Sequence, residues 1–398
     1  MNQRQTSINR RAFLAESTGA LMGAALLGQW GLPSQAVASE ASGAQGWSFV
    51  LLGDLHYDLW EHHDMDWVKR EKPRSIRQIE GYVRVTTELY PHLGAEIRQV
   101  IAGTPNPVDY VINIGDFVQG LCGSYDLQMK QFEDALDWIR QSRWGAPYLM
   151  TIGNHDITGP GAREAYEDKI LPYMSRQINQ RLDSSNFIVE HRNAMFVFVD
   201  AYDRGRINPW LEEALRQRSA EHLFVIVHQP VVPYHGQAAW AVYGQPGQEE
   251  DRQKFLNMLG EHEAIVLSGH LHRYGLVRRH TQQGRFVELA MNSIIRSKDH
   301  EARRILKGVE HRPDMEMLEP DFSSDTDPTR GEHLRAERQA IDQFETGQLE
   351  GYGMVQVNGG KVSVDLYNGL GRRKWKTLDL TSILKARRPA DAVHLARP

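Results

Sequence analysis

Seven residues of the chain are metal-ligand types placed just after short apolar runs. The sequence reads Gly53-Asp54-Leu55-His56, then Gly115-Asp116, then Gly153-Asn154-His155-Asp156. It continues with Val227-His228-Gln229-Pro230 and Ser268-Gly269-His270-Leu271-His272. Asp54, His56, Asp116, Asn154, His228, His270 and His272 supply hard oxygen and borderline nitrogen donors. Such donors suit Zn, Mn or Fe rather than a thiolate site. Seven are too many for one tetrahedral ion. They suit two ions about 3.5–4 Å apart, the spacing of two-metal phosphoryl chemistry. Cys122 is the single cysteine, which excludes a Cys₄ or Cys₂His₂ zinc site and an internal disulfide. Each motif alone is common in proteins, but five in this order are hard to ascribe to coincidence.

The elements that position them follow from the apolar runs. Residues 49–52, 110–114, 148–152, 223–227 and 264–267 are nearly continuous in apolar character, as strands buried on both faces are. Residues 195–199 and 286–289 look like further strands. Amphipathic stretches at 75–100 (broken before Pro91), 125–140, 209–216 and 249–259 predict helices between them. The alternation indicates an α/β architecture with helices covering the sheets. Loops at the carboxyl ends of such strands converge in one crevice. A glycine before a ligand lets the backbone turn and come close. Residues 296–350 break the rhythm, being polar and carrying Pro313, Pro320 and Pro328. They predict a solvated insertion, partly helical near 332–344, or a lid beside the site. Residues 354–357 and 362–367 alternate around Asn358-Gly359-Gly360, a hairpin signal. From Arg372 a basic tail is expected at the periphery. No internal repeat is visible, and one catalytic domain over 39–398 is the simplest account.

Composition sets the remaining bounds. The chain has 398 residues, of which 41% are hydrophobic and 24% charged, an ordinary soluble globular balance. A formal charge of −5 offers no basic field for nucleic acid or an anionic membrane. Near the start stands Arg10-Arg11-Ala12-Phe13-Leu14. A weakly apolar stretch at 20–32 follows, and then Gln35-Ala36-Val37-Ala38-Ser39, an A-x-A pattern. Charged, apolar and small-residue regions in that order predict a signal peptide over 1–38. The arginine pair resembles a twin-arginine signal. It implies the twin-arginine export machinery as partner and a periplasmic or secreted product. No later segment is long and apolar enough to span a bilayer.

The full order, Asp-x-His, Gly-Asp, Gly-Asn-His, His, Gly-His-x-His, resembles that of the calcineurin-like metallophosphoesterases, over residues 47–272. The resemblance implies two packed mixed β-sheets flanked by helices, a four-layer sandwich. It implies a metal-dependent phosphoric ester hydrolase acting on a small phosphomonoester or phosphodiester. Asp54, His56 and His272 would bind one metal, Asn154, His228 and His270 the other, and Asp116 would bridge. His155 would face the leaving group as proton donor, with Asp156 orienting it or shaping the loop. The stretch Gly115-Asp116-Phe117-Val118-Gln119-Gly120 lacks the Asp-Arg of protein Ser/Thr phosphatases. Gln119 also stands where purple acid phosphatases place a tyrosine ligand. A broad group of mono- and diesterases remains, and the ligands accept Mn, Fe or Zn. His62, His63, Asp64 and Asp66 are substrate contacts or a polar surface loop, and Arg296 is a phosphate clamp by chemistry alone. Two other readings compete: a two-metal hydrolase of amides or lactones, and a periplasmic metal- or phosphate-binding protein without turnover. His155 speaks against the second, because binding alone needs no proton donor.

Overall fold

The apolar runs form strands whose alternate side chains enter two different cores. This is a computed structural model, and it describes residues 46–232, 241–245, 247–311, 337 and 339–386. In β5 (Ala194–Val199) and β6 (His222–Val227), Phe196, Phe198, Phe224 and Ile226 face the space between two sheets. Met195, Val197, Leu223 and Val225 point the other way, toward α6 (Arg204–Arg216) and α7 (Glu249–Glu261). A strand with helices on one side and a second sheet on the other has no polar face, so its sequence cannot alternate. Phe49 of β1 (Trp47–Leu52) meets Phe196 edge-on at 5.4 Å, and Phe196 stacks on Phe224 at 5.1 Å. Burying each such ring contributes on the order of 1.5–3 kcal/mol.

Both sheets are mixed. In the six-stranded sheet β1 runs parallel to β2 (Val108–Asn113), and β2 parallel to β3 (Tyr148–Met150). On the other side of β1 lie the antiparallel β12 (Gly351–Asn358), β13 (Lys361–Asn368) and β14 (Lys374–Asp379). In the eight-stranded sheet β5, β6, β7 (Ile265–Ser268) and β9 (Arg285–Ala290) are parallel. β4 (Phe187–His191) closes one edge. Antiparallel β8 (Tyr274–His280), β11 (Ile341–Gln348) and β10 (Arg303–Lys307) extend the other. The helices α2 (Ile76–Glu88), α3 (Tyr90–Gly103), α4 (Tyr125–Ser142) and α5 (Ala162–Ile178) contribute buried residues to the core of the first sheet. As expected, α2 ends just before Pro91, which occupies the first turn of α3. The hairpin at Asn358 and Lys361 also forms.

The polar stretch differs from expectation at its ends. Helix was expected near 332–344, but from Ile341 the chain is a buried strand between β10 and β8. Its charges pair internally. Asp342 binds Arg278 at 2.6 Å, and Glu345 binds Lys376 at 2.6 Å. Just before the strand, Glu337 holds both Arg252 at 2.7 Å and Arg279 at 2.5 Å. Paired charges fit an interior that single charges would not. The same pairing hid β8, whose Arg278 and Arg279 look like solvent-facing residues in the sequence. Of the insertion and lid readings of 296–350, residues 312–336 and 338 fall outside the described residues, as does the export signal of 1–38. The tail begins as β14 and a short helix, α8 (Leu380–Lys385), packed on the first sheet. Among the described residues no helix is long and apolar enough to cross a membrane.

Candidate metal centre

The loops after β1, β2, β3, β6 and β7 meet at one end of the two sheets. The loops after β1 and β2 run side by side, zipped by main-chain bonds. Asp54 N–H donates to Gly115 O (3.2 Å), His56 N–H to Asp116 O (2.9 Å) and Tyr57 N–H to Phe117 O (2.9 Å). Five of the seven expected ligands have left-handed backbone: Asp54 (φ 52°), His56 (48°), Asp116 (51°), His270 (71°) and His272 (50°). Each costs about 1–2 kcal/mol for a residue with a Cβ, and such residues gather where function demands an unusual direction. The glycines permit close contact. Gly115 has φ +95°, and a Cβ there would sit 2.7 Å from His228 Nδ1. A Cβ on Gly269 would sit 2.7 Å from Asp54 Oδ2.

Two groups of side chains result, sharing one carboxylate. Ligand atoms of Asp54, His56, Asp116 and His272 lie within 4.8 Å of one another, and so do those of Asp116, His228 and His270. His56 Nε2 is 3.0 Å from His272 Nε2 and 3.5 Å from Asp116 Oδ2. In the second group His228 Nε2 is 3.0 Å from Asp116 Oδ2, 3.2 Å from Asn154 Oδ1 and 3.1 Å from His270 Nδ1.

The ring protons of two of these histidines point outward. His56 Nδ1–H donates to Gln119 Oε1 at 2.9 Å, and His228 Nδ1–H to Ile114 O at 2.9 Å. Their Nε2 atoms therefore face inward, that of His56 toward His272 Nε2 and that of His228 toward Asp116 Oδ2. Burial first, and then neighbouring His155, pushes His56 well below its usual range. Burial likewise takes His270 and His272 down to about 3. Burial opposes ionisation of Asp116, yet His228 foremost, then His155 and His56, hold its carboxyl far below normal. His228 rises to about 9 against its own burial, because Asp116 and Asp54 face it. Asp54 is pushed up by burial and by Asp116. Asp54 Oδ2 is buried with no hydrogen-bond partner. Ring nitrogens of His56 and His272 turned to each other, an unpartnered Asp54 Oδ2, and two buried carboxylates with one charged histidine between them are short of positive charge. The donor set fits a pair of cations.

His155 lies beside this group. Its N–H donates to Asp116 Oδ1 at 2.8 Å, and its Nδ1–H to Gln119 O at 2.8 Å. That leaves Nε2 toward a cavity of about 700 Å³ lined by Asp116, Asn154, His155, His270, His272 and Arg296. Asp156 does not touch the His155 ring. Its oxygens accept from Val118 N–H (3.1 Å) and Gly153 N–H (2.8 Å), so it shapes the loop. Arg296 stands in the cavity wall, paired with Glu350 at 2.8 Å.

His62, His63, Asp64 and Asp66 do not line the cavity. His62 and His63 are buried, binding Asp134 (2.9 Å) and Asp58 (2.8 Å). Asp64 caps α1 (Met65–Glu71), accepting from Trp67 N–H at 3.0 Å. Neither sequence reading of this stretch fits the two histidines, which are buried against Asp134 and Leu121, distant in the chain, as well as Asp58 nearby. Two residues at the centre were missed, Tyr82 and Tyr202, and Gln119 was noted only for the tyrosine it replaces. Tyr82 stacks on the His56 ring at 4.4 Å, and Tyr202 O–H donates to Asn154 Oδ1 at 3.4 Å. Only Gln119 had a sequence signal, its place three residues after Asp116.

A sequence-family model described as calcineurin-like phosphoesterase matches residues 48–274, more than half of the chain. No curated protein sequence matches. Among solved structures, a purple acid phosphatase from yellow lupin seeds aligns at 11% identity and TM-score 0.50, covering 86% of this chain and 56% of that one. The chain thus spans little more than half the length of that protein, and the likeness speaks to fold alone. A dimetal phosphatase from Danio rerio aligns at 12% identity and TM-score 0.45, over 84% of this chain and 99% of that one. GAP50, the anchor in the inner membrane complex of Plasmodium, aligns at 12% and 0.47, over 85% and 89%. Neither of these two carries weight at such scores.

Proposed function

The chain belongs to the calcineurin-like phosphoesterase family, and from that premise we propose that it hydrolyses a phosphate ester with two cations held in the crevice. The observation that carries the reading is the shared carboxylate. Asp116 Oδ2 reaches His56 on one side and His228 on the other. Asp54, His56 and His272 would hold one ion, Asn154, His228 and His270 the second, and Asp116 would belong to both. When bound, two such cations would supply Lewis acidity for the phosphoryl oxygens and for an attacking water.

The chain's own groups handle the leaving side. The bond from phosphorus to the departing oxygen breaks as water attacks from the opposite face. His155, protonated on Nε2, gives its proton to that oxygen. Its Nδ1–H bond to Gln119 O fixes the ring, with Nε2 toward the cavity. The bond from His155 N–H to Asp116 Oδ1 ties the donor to the shared carboxylate. Turnover of p-nitrophenyl phosphate, bis-p-nitrophenyl phosphate and an anilide, after reconstitution with Mn, Fe or Zn, tests the reading. Hydrolysis of the anilide alone would overturn it.

Export is a separate part of the proposal. The Arg10-Arg11-Ala12-Phe13-Leu14 pattern supports twin-arginine routing to the periplasm or beyond. Replacing both arginines with lysine should hold the precursor in the cytoplasm on cell fractionation, and unchanged external yield would refute that route.

A further inference from the structure

Gln119 touches two functional histidines with two different parts of itself. Its side-chain Oε1 accepts from His56 Nδ1–H at 2.9 Å, and its main-chain oxygen accepts from His155 Nδ1–H at 2.8 Å. The residue is fully buried, and its own N–H donates to Tyr57 O at 3.2 Å, continuing the zip between the β1 and β2 loops. The two rings it holds are 4.5 Å apart, edge to face at 76°.

An imidazole that binds a cation through Nε2 must carry its proton on Nδ1. An acceptor on Nδ1 fixes that tautomer and the ring direction together. His228 obtains such an acceptor from the main chain, through Ile114 O. His56 obtains it from a side chain, which makes its orientation a property of one residue type at position 119. Leucine or methionine there would fill similar space and accept nothing.

We propose that Gln119 is a positioning residue with two separable arms: its side chain sets the tautomer of His56 toward the metal pair, while its main-chain carbonyl sets His155 toward the leaving group. The inference rests on the two-metal reading of the crevice for its consequences, but not for its geometry. Cutting the side chain severs the first arm and leaves the second intact.

The test begins on metal-free protein with ¹⁵N-labelled histidine, where ¹H–¹⁵N spectra show which ring nitrogen carries the proton. In the unaltered protein His56 should be the Nδ1–H form. In Gln119→Leu it should become a mixture, and in Gln119→Glu, which restores an acceptor oxygen, it should return to Nδ1–H. On metal titration, Gln119→Leu should weaken one site about 10–100-fold and leave the other unchanged, with recovery in Gln119→Glu. The ratio of alkyl-ester to p-nitrophenyl-ester turnover should not move, because the His155 arm is main chain. Should the leucine variant not fold, Gln119→Met makes the same comparison. An unchanged His56 tautomer in both apolar variants, or equal weakening of both sites, overturns the proposal. Failure of the unaltered protein to take a second metal, with the tautomer still dependent on residue 119, would sink the two-metal reading and leave the positioning role standing.

Discussion

Two clusters of histidine and aspartate lie a few residues apart on the chain after β1, and they are wired in opposite ways. In the crevice, His56 and His272 turn ring nitrogens toward each other, and Asp54 Oδ2 is buried without a partner. In the second cluster, donors meet acceptors. His63 faces Leu121 O at 3.1 Å with Nδ1 and Asp58 Oδ1 at 2.8 Å with Nε2. His62 accepts from Leu59 N–H at 3.0 Å and reaches Asp134 at 2.9 Å. Burial lowers the affinity of His63 for its second proton, but the bonds and charge of Asp58 outweigh it, and the net shift is upward. One cluster closes its charge with protein groups, and the other leaves it for something else. Residue type alone does not separate them, whereas the direction of the ring protons does.

The difference can be broken at its strongest point. Asp116→Ala removes the shared carboxylate and leaves His228 facing buried acceptors with less negative charge. Metal content should fall from about two per chain to below one, and kcat/KM by more than about 10³-fold. A variant that kept both metals would end the shared role.

A smaller effect is expected at the proton donor. His155→Asn should lose about 10²–10⁴-fold in kcat/KM on an alkyl phosphate ester and much less on a p-nitrophenyl ester, whose leaving group departs almost unaided. Metal content, measured on the same preparation, should stay unchanged. Equal losses on both esters would remove His155 from the acid role.

The closed cluster should answer in stability and not in metal content. His63→Gln should cost about 1–3 kcal/mol of unfolding free energy. The folded pKa of His63 lies above its unfolded value near 6.5. Its stabilisation is therefore fully present below pH 6.5 and fades as pH rises through the raised folded value. Melting curves of both proteins across pH 5.5–9 should converge at the alkaline end. A gap that widened with pH would reverse the assigned charge. The smallest change is Tyr202→Phe, which removes the hydroxyl bonded to Asn154 Oδ1. It should weaken only the site containing Asn154, by no more than about tenfold.

Much of this was legible in the chain. Strands buried on both faces have continuous apolar runs, so β1, β2, β3, β5, β6, β7 and β9 were visible, and the ligand motifs at their ends marked the crevice. What stayed hidden depends on partners distant in sequence. Charges at Arg278, Arg279, Asp342 and Glu337 suggest a surface until the strands bring them together. Ile341-Asp342-Gln343-Phe344 then resembles a helix edge more than a strand. His62 and His63 look solvent-exposed for the same reason. Tyr82 is one buried residue among several on α2, and nothing in the sequence distinguishes it. The left-handed backbone of five candidate ligands was implied only faintly, by the glycines beside Asp54, Asp116 and His270.

The place of β1 in its sheet has a consequence for the order of assembly. Asp54 and His56 follow β1 directly, yet the antiparallel neighbour of that strand is β12, with Trp47 opposite Val357. A ribosome making this chain must pass residue 357 before the central pair of the first sheet can form. Every ligand loop has been synthesised by then, the last of them ending at His272. Contacts this far apart in sequence form slowly. Until then β1, which carries Asp54 and His56 at its end, has only β2 beside it in the sheet.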